Sequence, residues 1–189
     1  MIIKDYTVYG LMDAIELAGF PMQITTDRKF GGITPDLVNR GGRLGKTMTG
    51  MGHDKFLRFV TVIATIIAPR YWWQEFSTYH FAEMDSQSTM HRITKMNLSE
   101  CCNEYVDKTI IEIVQRCIDD YNNSPSEEKF LKIKANLPEG FEIGAGVCMN
   151  YATLKTMYQQ RKSHRLPEWK QFCKWVETLP YAKEWGVCS

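Results

Sequence analysis

The stretch from Gly52 to Ser88, GHDKFLRFVTVIATIIAPRYWWQEFSTYHFAEMDSQS, decides how this chain folds. Its middle, Phe59 to Ile67, consists of Val, Thr and Ile with one Phe and one Ala, which favours a buried strand over a helix. Pro69 ends that strand. A proline has no backbone donor but fits the first turn of a helix, and Arg70 to Phe76 sets Tyr71, Trp72 and Trp73 against Gln74 and Glu75 at helical spacing. Beyond Ser77 the chain turns polar and irregular. The segment therefore predicts a strand, an aromatic-rich helix and a hydroxyl-rich loop, with polar chemistry beside a buried core.

On the N-terminal side, Leu11, Met12, Ile15 and Leu17 followed by Gly19 predict a short helix. Phe20 to Gly32 reads as a surface loop, and Asp36 after Pro35 is the expected cap of a helix that ends in the glycine-rich run Gly41 to Gly52. That run superficially resembles a phosphate loop, but Arg40 stands where the first glycine is needed and no apolar strand precedes it. On the C-terminal side, Ser99 is read as the start of a long amphipathic helix carrying Val106, Ile110, Ile113, Val114 and Cys117, broken at Tyr121 to Ser124. A helix restarts at Ser124-Pro125-Ser126-Glu127-Glu128 and runs to about Ala135. Phe141 to Met149 is an expected strand, and helices follow from about Tyr151 to Lys162 and from Pro167 to Thr178.

At 189 residues and 44% hydrophobic, the chain can bury a proper core, and its length suits a single domain over 1–189. Twenty-three basic and 22 acidic residues leave a formal charge of +1, too little for an extended nucleic-acid surface, so any phosphate site must be local. The N-terminus carries no basic leader with an apolar run, and the longest apolar segment is too short to span a bilayer; a soluble, cytoplasmic protein is expected. Six scattered cysteines form no C-x-x-C pair and have no zinc-finger spacing, so reduced, mostly buried thiols and no metal site are expected.

Several residues combine with this framework. His53 stands before the strand and Ser88 lies thirty-five residues later, in the loop after the aromatic helix. Lys134 precedes Leu137-Pro138; Asn150 follows Pro138 by twelve residues, and Arg161 follows Asn150 by eleven. Eleven residues are close to three helical turns, which places Asn150 and Arg161 on one face, lining one groove. An ammonium is a point charge suited to phosphate, and a guanidinium can fork across carbonyl oxygens on a base edge. Read without further context, Arg161 with Lys162, His164 and Arg165 is a solvated basic helix end, and Tyr71, Trp72, Trp73 and Tyr79 are either core or oligomer contacts or a stacking platform.

This constellation resembles the flavin-dependent thymidylate synthases, the ThyX family, in its short phage and gut-bacterial form. The resemblance covers about Asp36 to Pro180. It implies an α+β fold with an antiparallel sheet packed against helices, and a homotetramer whose sites are built from several subunits. It also implies transfer of a one-carbon unit from methylenetetrahydrofolate to dUMP, with FAD and NADPH supplying the reduction. Carried onto this chain, Ser88, Arg161 and His53 are the catalytic candidates. Tyr79, His80 and Asn150 are the flavin-side candidates, while Lys134, Arg161, Ser88, Gln74 and Glu75 are the substrate-side ones.

The family's charged signature is altered. Thr78, Tyr79 and His80 stand at its Arg-His-Arg, Ser86 at an acidic position, and Met90 and Ala152 at arginines. Each lost cation removes charge-assisted bonds worth roughly 1.5 to 3 kcal/mol. His80, Arg70 and Arg92 are the nearby groups able to compensate. The expected function is thus a dUMP-type nucleotide-binding protein with an altered flavin site. The alternative is a catalytically inactive nucleotide-sequestering protein, or one that contacts or inhibits a host protein.

Overall fold

The computed structural model describes residues 1–28 and 31–188. Among them, four strands form one antiparallel sheet in the order β1-β2-β4-β3, where β1 is Ile2–Tyr9, β2 Thr61–Pro69, β3 Ala82–Ser86 and β4 Glu142–Asn150. β2 lies in the interior of the sheet, as its β-branched composition demands, and its side chains alternate. Val62, Ala64, Ile66 and Ala68 are buried, while Ile63 remains 46% exposed on the opposite face. Ala145, Val147 and Met149 of β4 extend the buried face.

Register fixes what stands at each end of the sheet. Thr61 pairs with Asn150, so the start of β2 lies beside the start of α8 (Tyr151–Arg161), and the Tyr151 amide donates to the Val60 carbonyl at 3.0 Å. Pro69 pairs with Glu142 at the other end, where α3 (Arg70–Phe76) begins. There the Arg70 and Tyr71 amides, which have no partner inside their own helix, donate to the carbonyls of Phe141 and Glu139 at 3.0 and 3.3 Å.

The helices pack in two groups. α1 (Leu11–Leu17), α2 (Pro35–Gly45), α3, α8 and α9 (Pro167–Val176) cover the buried face of the sheet. At the centre of that core the fully buried Trp72 lies against Trp73, Phe76, Trp169 and Phe172, with ring centroids 4.8–5.8 Å apart. The aromatic residues of α3 are therefore mainly core. Tyr71 hydrogen-bonds Glu168 and accepts from Asn103 at 3.1 Å, which leaves its hydroxyl no place in a stacking platform. A second apolar cluster joins Ile93, Leu98, Val114, Ile118, Ile133, Leu137 and Phe141. It is built by the turn Ile93–Lys95 that follows α4 (Thr89–Arg92), and by α5 (Leu98–Cys101), α6 (Lys108–Asn123) and α7 (Glu127–Asn136).

Four sequence-based expectations change. The cap of α2 is Thr34, whose hydroxyl accepts the Leu37 amide; Asp36 lies inside the first turn. The long helix from Ser99 is two helices. Asn97 caps α5, Cys102 bridges to Phe141, and Asp107 starts α6 by accepting the Thr109 amide at 2.7 Å, a better cap than anything in the uninterrupted pattern. The polar stretch after Ser77 contains β3, an edge strand whose exposed Glu83 and Asp85 conceal its period from sequence, and β1 was likewise not anticipated. Finally, only Cys173 of the six free cysteines is buried; the others are half-exposed.

The glycine-rich run has a packing explanation. A Cβ on Gly45 would lie 2.0 Å from the Trp185 carbonyl oxygen, and one on Gly41 would lie 2.4 Å from the Trp185 ring. The glycines admit a fully buried tryptophan from the C-terminal segment.

Candidate functional site

The sequence-derived residues fall into two groups on one chain. The first surrounds Lys134, in the last turn of α7. Its ammonium donates to the Thr89 hydroxyl, next to Ser88, which opens α4 with no side-chain cap bond of its own. Ser88, Thr89, Arg92 and Gln87 line a small cavity of about 50 Å³, closed by Met96, Phe141 and Ile143. Burial, and then the like charge of Arg70, lowers the Lys134 pKa. Among the described residues no carboxylate lies within ion-pair distance of Lys134. Arg70 itself donates to the Leu137 carbonyl at 2.9 Å and lies 3.5 Å from Glu139, which also takes a 3.0 Å bond from the exposed Gln74. The result is a partly desolvated cationic cluster with two hydroxyls, a composition suited to a phosphate monoester.

The second group surrounds Arg161, and it is neutralised. Arg161 Nη1 lies 2.6 Å from Glu75 Oε2, its Nε donates to the Tyr79 hydroxyl at 2.8 Å, and its plane stacks over Trp169 at 4.7 Å. Trp169 Nε1 donates to the same Glu75 oxygen at 2.7 Å, and His164 Nε2 lies 3.0 Å from Arg161 Nη1. Arg161 is thus held inside the fold, at 18% side-chain exposure, and is not the solvated helix end that its sequence context suggested.

Beside this group lies a cavity of about 640 Å³ between α8 and the turn after α3. Asn150, Ala152, Thr153, Thr156 and Gln160 form its α8 wall, Thr78 to Phe81 the facing wall, and Thr49 and Arg58 the rim. The flavin-side candidates Tyr79, His80 and Asn150 all meet here. Asn150 and Arg161 do not share the groove directly. The Asn150 side chain turns back to accept the Thr153 amide at 2.9 Å as the cap of α8, and Arg161 sits behind Tyr79. Tyr79 relays the contact by donating to Gln160 at 2.8 Å. The His80 carbonyl is held by the Thr153 hydroxyl at 3.3 Å, and Phe81, 72% exposed, adopts φ 60°, a left-handed conformation that costs a non-glycine residue about 1 kcal/mol or more. His53 is exposed in the loop that carries Thr49.

The cavity walls carry hydroxyls, amides and the rings of Tyr79 and Phe81, suited to a heterocycle, but Arg58 and His80 are the cationic or basic groups that line it. From one chain, these residues fit the ring of a flavin and do not fit a dinucleotide's diphosphate. A larger groove of about 820 Å³ lies between the segment Thr94 to Ser99 and α6, more open and without an aromatic side chain. Among the described residues, no cluster of His, Cys, Asp or Glu could hold a metal ion, and no helix is long and apolar enough to cross a membrane.

Sequence reasoning missed Thr89, Arg58 and Thr49, which carry no motif, and the polar stripe Thr153, Thr156 and Gln160, whose helical spacing was visible but overshadowed by Asn150 and Arg161.

No protein-family model matches the sequence, and no curated protein matches it. The fold does match solved structures. The flavin-dependent thymidylate synthase ThyX from Helicobacter pylori, complexed with FAD and dUMP, superposes with a TM-score of 0.72 at 17% identity, covering 99% of this chain and 98% of that one. A second structure of that ThyX with FAD and dUMP gives a TM-score of 0.71 at 18% identity over 100% and 97% of the two chains. Strand pairing, helix placement and near-complete mutual coverage agree: this chain has the fold of the flavin-dependent thymidylate synthases of the ThyX type.

Proposed function

We propose that this protein binds a pyrimidine nucleotide of the dUMP type, with its phosphate at Lys134, Ser88 and Thr89. The observation that carries this reading is the state of Lys134: partly desolvated, beside Arg70, and without a carboxylate partner among the described residues. A cation kept in that position costs stability unless an anion completes it. Arg92 extends the cluster. The pyrimidine end is assigned to the cavity at Tyr79, His80 and Asn150, where Arg161, oriented by Glu75, acts through the Tyr79 hydroxyl. Both groups serve one ligand when neighbouring copies of the chain bring them together, so the reading requires a homo-oligomer, a tetramer by the family's precedent. The H. pylori structures, which hold FAD and dUMP, support the nucleotide class.

A second reading, thymidylate synthesis with flavin, methylenetetrahydrofolate and NADPH, is favoured by the ring-compatible walls of the 640 Å³ cavity. It requires neighbouring subunits to supply the diphosphate's cations. In that reading His53, Ser88 and Arg161 keep their catalytic assignments.

The experiment is a melting-temperature titration with dUMP on protein purified without added cofactor, together with its absorbance from 300 to 500 nm. A rise in Tm that Lys134→Met abolishes supports the nucleotide reading, and a flavin spectrum supports the second. A colourless protein that dUMP does not stabilise overturns both and points to a pure protein-contact role, such as binding a host target.

A further inference from the structure

Lys155 is the one lysine of α8's inner face, and it is 1% exposed. Its ammonium has three protons, and three acceptors converge on it: the Gly45 carbonyl at 2.8 Å, the Thr47 carbonyl at 2.6 Å and Asp54 Oδ2 at 3.0 Å. Gly45 ends α2, where carbonyls lack helical partners and positive charge is favoured. Thr47 and Asp54 are the two ends of a loop. One buried cation therefore closes the loop at both ends and fastens it to α8.

The Thr47 hydroxyl also donates to the Leu44 carbonyl at 2.7 Å, but between the two ends little else holds the loop among the described residues. Met48 and Met51 are 73% and 59% exposed, Gly50 and Gly52 take φ of 96° and 82°, and the internal hydrogen bond runs from the Met51 amide to the Met48 carbonyl at 3.2 Å. Yet Thr49 at its centre and Arg58 just beyond it form the rim of the 640 Å³ cavity, and His53 belongs to the same loop. Lys155 leaves α8 about a third of a turn round from the face that lines the cavity, so it meets the loop from behind the wall. Stability alone does not call for this chemistry, because apolar residues of similar volume commonly replace a buried ion pair without loss. What an ammonium adds is directional bonding to two carbonyls and a carboxylate at once.

We infer that Lys155 is a positioning residue that clamps the 47–54 loop onto α8 and thereby sets the Thr49 and Arg58 wall of the cavity. What the cavity binds rests on the function proposed above; the clamp does not. The test compares the wild type, Lys155→Met, and the double variant Lys155→Met with Asp54→Leu, by Tm, by the rate of trypsin cleavage at Lys46 and Lys55, and by dUMP affinity. Lys155→Met alone is expected to lower Tm by stranding the Asp54 carboxylate. The double variant is expected to recover wild-type Tm while its loop is cut about tenfold faster, since cleavage follows local opening. Its dUMP affinity is expected to fall about tenfold.

A double variant with wild-type cleavage overturns the clamp. Faster cleavage with unchanged dUMP affinity overturns the loop's part in the site. If the wild type binds no dUMP, the proposed function falls and the cleavage comparison still decides the clamp. Should the double variant not fold, Asp54→Asn, which weakens one of the three bonds, is expected to speed cleavage about threefold, and wild-type cleavage in that variant overturns the proposal.

Discussion

Lys134 and Arg161 stand out for the same reason in sequence, as cations at helix ends near apolar segments, and the fold treats them oppositely. Arg161 has a counter-ion and two further partners: a carboxylate at 2.6 Å, a tyrosine hydroxyl at 2.8 Å and an indole face at 4.7 Å. Lys134 has a threonine hydroxyl, burial and a like charge. A satisfied cation organises its surroundings, whereas an unsatisfied one at a partly buried position is ready to take an anion. The difference teaches that an arginine at a family-like position is weaker evidence for ligand contact than a lysine left without its counter-ion.

The largest effect should come from dismantling the satisfied side. Trp169→Ala removes a fully buried ring, the surface beneath Arg161 and a donor to Glu75, and is expected to destabilise the protein by about 3–5 kcal/mol in urea unfolding. A loss as small as that of a surface substitution would break the comparison from this side.

Lys134→Met makes the opposite statement. dUMP affinity is expected to drop about 10- to 100-fold by calorimetry, in line with one charge-assisted contact worth roughly 1.5 to 3 kcal/mol, while Tm stays level or rises. A clear fall in Tm with affinity intact would show Lys134 to be structural.

Glu75→Gln keeps the shape of the Arg161 network and removes its counter-charge. Both partners are partly exposed, so the expected cost is about 1 kcal/mol, read from the urea midpoint. It sharpens the contrast, because among the described residues no such carboxylate stands at Lys134 to delete.

The smallest effect is with pH. The folded-state pKa of Lys134 is lowered below its ordinary value, so between the two values the unfolded chain binds more protons. Stability from this group therefore rises as pH increases through the folded pKa and levels off above the ordinary lysine value, while affinity for a phosphate dianion falls as the ammonium is lost. Comparing Tm across the alkaline range in the wild type and Lys134→Met checks the sign: the increment should vanish in the variant.

Much of the scaffold was legible along the chain. β2 and α3 announced themselves through β-branched residues, Pro69 and the aromatic cluster, and the helix starts read at Ser124 to Glu128 and at about Tyr151 match α7 and α8. The break between α5 and α6 was not legible, because Asp107 and the Cys102 bridge to Phe141 compete with an apolar period that runs straight through them. β3 was hidden because it is an edge strand with four of its five residues exposed, so neither face carries an apolar period. At the site, residue types pointed to Lys134, Ser88, Tyr79 and His80, but their grouping into a phosphate-suited cluster and a separate cavity came from packing.

By itself, then, the sequence determined the central strand β2, its neighbour β4, most of the helices, a formal charge of +1 and the identities of the chemically able residues, since composition, period and capping are local properties of the chain. Tertiary structure decided that Arg161 is neutralised by Glu75 while Lys134 is not, that glycines of α2 receive Trp185, and that Lys155 gathers a loop eight residues long between Thr47 and Asp54. Those outcomes depend on groups up to 110 positions apart meeting in a medium that raises the cost of every unmatched charge.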